Sequence, residues 1–98
     1  MARYADTIRT FLPACHGREL ELRCRIMSAR ENATALIGKG KCSPEALGAR
    51  AEIQRLALDY TYAPVSEDEL ALLLDALRLL LRAAMRLDRL AEAVGGRG

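Results

Sequence analysis

The stretch SEDELALLLDALRLLLRAAMRLDRLAEAV, residues 66–94, carries the reading on which the fold rests. It reads as one long helix with a marked start and a marked end. Ser66 offers an N-cap hydroxyl, and Glu69 stands three residues later, where its carboxylate can reach back to the Ser66 amide in a capping box. Val65 and Leu70 are spaced for a hydrophobic staple across that start. Glu67, Asp68 and Glu69 put negative charge at the positive end of the macrodipole, Arg82, Arg86 and Arg89 lie in the later turns, and Gly95-Gly96 ends the run.

Which faces of this helix are buried follows from spacing. Leu70, Leu73, Leu77, Leu80, Ala84, Leu87, Ala91 and Val94 recur three and four apart, the seam of a helix packed lengthwise on another. Leu74 and Leu81 widen the seam on one side, and Leu72, Ala76, Leu79 and Ala83 widen it on the other. At about 100° per residue the apolar arc of residues 70–83 spans roughly 220°, against roughly 100° for an ordinary surface helix. A helix so wide in its apolar arc needs more than one packing partner. The back half is expected to be partly solvated, because Asp88 and Glu92 fall in line with Leu74 and Leu81.

Working outward, Ser43-Pro44-Glu45 starts a preceding helix with a capping serine and a proline at its first position. Its expected buried face is Ala46, Ala49, Ile53, Leu56 and Tyr60, with Leu47 and Ala57 at the margin, and Pro64 stops it. The few residues between the two helices predict an antiparallel hairpin. Gly38-Lys39-Gly40-Lys41-Cys42 reads as a linker, 38–43 in all.

Residues 18–37 place Leu22, Ile26, Ala29, Ala33 and Leu36 on one face, with Leu20, Cys24 and Met27 beside them. Residues 19–26 also alternate polar and apolar as a half-buried strand would. Strong helix formers, the i,i+4 pairs Glu19–Arg23 and Glu21–Arg25, and the lack of another strand-like run favour helix. At the N-terminus Tyr4, Ile8, Phe11, Leu12 and Cys15 keep helical spacing up to Pro13 and Gly17, which break it.

The expected architecture is all-α: a small antiparallel helical bundle of three long helices and a short N-terminal one, residues 1–98 forming a single domain with a tail at 95–98. At 98 residues and 51% hydrophobic, the chain has apolar material for a modest core. One Phe, three Tyr and no Trp leave that core to Leu, Ala, Ile and Val. The third helix should run about 28 Å and the last about 43 Å, so helix two and the N-terminal helix are expected to cover part of the difference. The Leu72/Leu79 side is expected to pack on a second copy, as a homodimer.

Arg78 interrupts the Leu-rich run well short of a membrane span, and the N-terminus lacks the apolar core of a signal peptide. A cytoplasmic protein with no membrane partner is expected. Three cysteines, an odd number, read as reduced thiols. A net charge of +2 is too small to imply a polyanionic partner by itself.

Catalytic and cofactor signatures are weak. Cys15 and His16 are neighbours, but adjacent helical residues point about 100° apart and Pro13 and Gly17 make this a turn. Cys15, His16, Cys24 and Cys42 have the right donor types for a metal, at spacings that match no C-x₂-C or H-x₃-H pattern. Gly38-Lys39-Gly40-Lys41 resembles a phosphate loop only superficially, since Cys42 stands where a Mg²⁺-binding hydroxyl belongs. No enzyme activity, cofactor or metal is expected.

The polar face of the last helix carries Arg78, Arg82, Arg86 and Arg89 within an arc of roughly 80°. Such a stripe can follow a phosphate backbone, although Asp68 and Asp75 lie on it and dilute its field. The functional expectation is therefore a non-catalytic protein–protein interaction module of adaptor, chaperone or inhibitor type. It would act through Leu72 and Leu79, rimmed by Arg78, Arg82, Arg86 and Arg89. Nucleic-acid binding through the same arginines is the alternative, and a Cys/His metal or thiol protein the second.

Overall fold

A computed structural model describes residues 2–36 and 43–95 as four helices: α1 (Ala2–Phe11), α2 (Gly17–Leu36), α3 (Pro44–Thr61) and α4 (Glu67–Gly95). The all-α bundle of three long helices and a short one is thus the observed fold. Helices α2, α3 and α4 pack mutually around one core, and α1 packs on α2. Residues 38–42 of the expected linker and 96–98 of the expected tail lie outside the described residues, whereas Gly95, expected in the tail, closes α4.

Residues 19–26 are helical. Their alternation arises because α2 is apolar on two sides. Leu22, Ile26, Ala29 and Ala33 enter the core shared with α3 and α4, whereas Leu20 joins Ile8 and Cys15 in a second cluster under α1, flanked by Cys24 and Met27. The N-terminal helix therefore covers the second face of α2, and it does not lengthen the cover over α4 as the sequence suggested. A Tyr4 hydroxyl donating to Glu31 and a Phe11 ring set edge-on against Tyr62, centroids 5.2 Å apart, hold it there.

The α1–α2 corner is built by its breakers. Pro13 ends helix one, the Leu12 amide still donating to Ile8 O and Cys15 N to Leu12 O. Gly17 then takes φ +61°, the left-handed conformation that costs an L side chain, and the chain re-enters helix.

Both predicted N-caps form. The Ser43 hydroxyl accepts from Ala46 N at 3.0 Å with Pro44 at the first helical position. The Ser66 hydroxyl accepts from Glu69 N at 3.2 Å. The return bond of the capping box is not made among the described residues, and Glu69 stays in solvent. Val65 packs against the cluster that contains buried Leu70, as a staple requires.

Two faces are rotated from their expected positions. On α3 the buried line is Ala46, Ile53, Ala57 and Thr61, while Ala49, Leu56 and Tyr60 are half-buried. On α4 it is Leu70, Leu74, Leu77 and Ala84, with Leu73, Leu80 and Leu81 partly covered and Leu87 37% exposed. The cause is common to both: each helix packs against two neighbours, so its buried line bisects them. A single seam describes packing against only one. The side chains of Ala91 and Val94 lie outside the described residues.

The strongest polar tie in the core goes beyond the i,i+4 pairing that the sequence offers. Arg23 does meet Glu19, yet it is only 2% exposed. Its Nη1 donates to Thr61 O at 2.8 Å and, at 3.5 Å, to Tyr60 O; its Nη2 donates to Ala63 O at 2.8 Å. Nε and Nη2 also donate to Glu19 Oε1 at 3.2 and 2.9 Å, so all five guanidinium N–H groups have a partner. The carbonyls it serves belong to the last turn of α3 and the turn into α4, at the negative end of the α3 dipole; Tyr60 O also accepts from Ala63 N and Ala63 O from Val65 N, so among the described residues Thr61 O alone depends on Arg23.

At 29 residues α4 outruns the 18 residues of α3 by roughly 16 Å. The molecule measures 55 × 23 × 16 Å, and its radius of gyration of 15.3 Å exceeds the roughly 13 Å of a compact chain of this length.

Truncating Arg23 to Ala should remove about 3 kcal/mol of stability, because Thr61 O loses its donor outright while Glu19 and the Tyr60 and Ala63 carbonyls each lose a charged one. Lys at this position should recover only part of that, since one ammonium cannot span the fork. Equilibrium urea unfolding of the three proteins checks both; a loss within about 0.5 kcal/mol, the size expected of a surface substitution, would contradict the capping role.

Candidate functional site

Opposite its buried line α4 carries a second apolar stripe with nothing over it. Leu72, Leu79 and Leu90 are 70%, 62% and 57% exposed, and Ala76 and Ala83 between them are exposed as well. At about 100° per residue these five fall within roughly 60° of arc, centred roughly 150° from Leu70. Single exposed leucines are ordinary on a protein surface, but three aligned on one helix form a patch.

The four arginines do not share one environment. Arg82, Arg86 and Arg89 edge the stripe on one side. Arg78 is turned toward α2, where it lines a shallow groove with Arg25, Ser28 and Asn32. All four are exposed, and none forms an ion pair among the described residues. Asp75 stands on the same flank as Arg82. On the opposite flank Leu73 and Leu80 are half-buried against the core.

The cysteine and histidine candidates occupy a different part of the molecule. Cys15 is buried beneath α1 and α2, Cys24 is half-buried nearby, and Cys42 lies outside the described residues. His16 is exposed, with Nδ1 2.8 Å from Ala14 O. Among the described residues no three His, Cys, Asp or Glu side chains gather to hold a metal ion. Burial pushes the Cys15 thiol up, reinforced by the Glu19 carboxylate and opposed by Arg23. Burial also raises Cys24, with Arg9 opposing and Glu21 reinforcing. A raised pKa is the reverse of what an activated nucleophile needs. Among the described residues no helix is long and apolar enough to cross a membrane.

Arg23 is the residue whose role the pattern concealed. On a helical wheel it and Glu19 fall within about 60° of Ile26, beside the buried line of α2, and that placement was a legible signal. Compared with known proteins, the chain matches no family model, no curated protein sequence and no solved structure.

Because both described thiols are held neutral, alkylation of Cys15 and Cys24 at pH 7 should be slower than that of a free thiol. Cys24 should gain reactivity only above the ordinary thiol pKa of about 8.5. For Cys15 the folded pKa is the raised one, so its contribution to stability is complete below the unfolded pKa and is lost as pH rises through the folded value. Residue-resolved mass spectrometry of alkylation against pH reads this, and rapid labelling of Cys15 at pH 7 in the folded protein would contradict it.

Proposed function

We propose that this protein is a non-catalytic protein-interaction module whose working surface is the outer face of α4. One observation carries the reading: Leu72 and Leu79, with Leu90 beyond them, stand in water on a single line, 70%, 62% and 57% exposed, along a helix already packed on its other side. Each large aliphatic side chain taken from water is worth about 1.5–3 kcal/mol. A protein partner seated along this line therefore gains several such increments, and the arginine flank supplies the polar rim usual for an interface. The face is formed from one helix, which suits helix-on-helix docking.

A second reading rests on the exposure of Arg78, Arg82, Arg86 and Arg89 and their lack of an ion-pair partner among the described residues. Such a row can contact phosphates, and it then predicts affinity for DNA or RNA that falls steeply with salt. Asp75 within the row and the division of Arg78 from the other three weigh against it.

The double substitution Leu72→Glu/Leu79→Glu tests the first reading. Both side chains are mostly solvated, so thermal stability should change little, within about 0.5 kcal/mol per site. Association through the face should weaken by more than about a hundredfold, two buried leucines' worth. The measurements are solution mass and quantitative capture from the native host, wild type beside variant. A monomeric wild type that retains the same proteins as the variant would overturn the reading. Salt-steep binding of an oligonucleotide, unaffected by the leucine changes and abolished by neutralising the arginines, would replace it with the second.

A further inference from the structure

The exposed face of α4 has a heptad spacing of its own, and the chemistry along it names an occupant. Glu69, Leu72, Ala76, Leu79, Ala83, Arg86 and Leu90 follow one another at steps of three, four, three, four, three and four. This seam is displaced from the buried one, with large Leu alternating with small Ala at its centre. We infer that it is covered by α4 of a second copy of this chain, running antiparallel, with Leu72 of each copy packed on Ala83 of the other and Leu79 on Ala76. The inference rests on the docking reading of the face and assigns its partner.

Three independent features select this arrangement. The first is shape: a large residue meets a small one in both central layers, which lets the two helices approach toward the lower end of the roughly 8–10 Å range of interaxial distances. The second is the outer layers. In the same register Glu69 of each copy meets Arg86 of the other, and Leu90 lies one layer beyond, level with the start of the partner helix. Glu69 and Arg86 are the charged positions on an otherwise apolar seam, and they have opposite sign.

The third is the flank. The residues one step before the Ala positions and their heptad equivalents are Asp68, Asp75, Arg82 and Arg89, two acids followed by two bases. In an antiparallel pair like flanks face each other, so Asp75 meets Arg82 of the second copy and Asp68 meets Arg89. Both symmetry-related sets are then opposite in charge. The other flank presents Leu73 to Leu80 of the second copy, residues already half-buried against each copy's own core. A parallel pair would stack Arg86 on Arg86 and Glu69 on Glu69, and would set the acids and bases against leucines. Antiparallel packing also places each helix's acidic, dipole-positive start beside the other's basic, dipole-negative end. A two-fold axis between Ala76 and Leu79 satisfies every layer, as a closed isologous dimer requires.

Sedimentation equilibrium of the intact chain at micromolar concentration should give twice the 10.8 kDa chain mass. Asp75→Arg alone and Arg82→Asp alone should each weaken self-association on the order of tenfold, since each replaces two attractions per dimer with two repulsions. Mixing the two variants should restore wild-type affinity as a heterodimer. In that heterodimer the arginine introduced at position 75 of one copy faces the aspartate introduced at position 82 of the other, and the unaltered Arg82 and Asp75 keep their native attraction. Both positions are exposed to solvent in the monomer, so unchanged circular dichroism and melting of each variant verify folding. A wild-type monomer at about 100 μM, a concentration at which even a dimer of modest micromolar affinity assembles, overturns the proposal. So does a dimer indifferent to both charge reversals, or one whose mixed variants fail to pair. In these cases the docking reading survives if Leu72→Glu/Leu79→Glu still abolishes capture of another protein, and falls if it does not.

Discussion

A single buried guanidinium holds the arrangement of the three long helices. Arg23 projects from the second turn of α2 into the end of α3, and its five N–H groups divide between Glu19 and the carbonyls of Tyr60, Thr61 and Ala63. Without Arg23, Thr61 O would lack a donor among the described residues, at a desolvation cost of about 1–3 kcal/mol, and the Tyr60 and Ala63 carbonyls would keep only their turn bonds from Ala63 N and Val65 N. By meeting them from α2, Arg23 sets where along α2 the α3–α4 hairpin must sit. Apolar packing alone is tolerant of sliding; five directed hydrogen bonds are not. Glu19 keeps the pair neutral while remaining partly solvated, which lowers the cost of burying the cation.

With that register set, the fate of each apolar face follows from geometry. α2 and α4 are both apolar on two sides, and both give one side to the central core. The second side of α2 is used by α1, which Pro13 and Gly17 fold back against Leu20, Cys24 and Met27. The second side of α4 points away from α2 and α3, and α1 packs on α2 instead. The same placement divides the chemistry of the molecule: the described thiols fall under α1, where burial keeps them neutral, and Leu72, Leu79 and their arginine flank fall on the outside.

Much of this was legible from residue order. The capping serines, the proline and glycine breaks, the lengths of the helices and the two-sided apolar character of α4 are all consequences of local spacing and backbone chemistry, and they act within a turn or two of the residues concerned. The candidate stripe was legible for the same reason, since Leu72 and Leu79 could not share a face with Leu70 and Leu77. The alternation in residues 19–26 misleads only when each stretch is assumed to have one buried side. Rotation of the buried lines on α3 and α4 was not legible, because a helix's spacing records which residues are apolar and says nothing of how many neighbours share them.

The order of the residues therefore dictated the helices, their limits and the excess of apolar surface on the last one, all properties carried by interactions between positions three or four apart. Packing of distant segments settled the rest. It drew Arg23 inward from an apparently solvated pair, turned Arg78 toward α2 and away from the other arginines, and set α1 on α2 so that the far side of α4 stayed open. Each of these depends on which backbone lies beside which side chain, and that is decided only when residues about forty apart in the chain, such as Arg23 and Thr61, share a hydrogen bond.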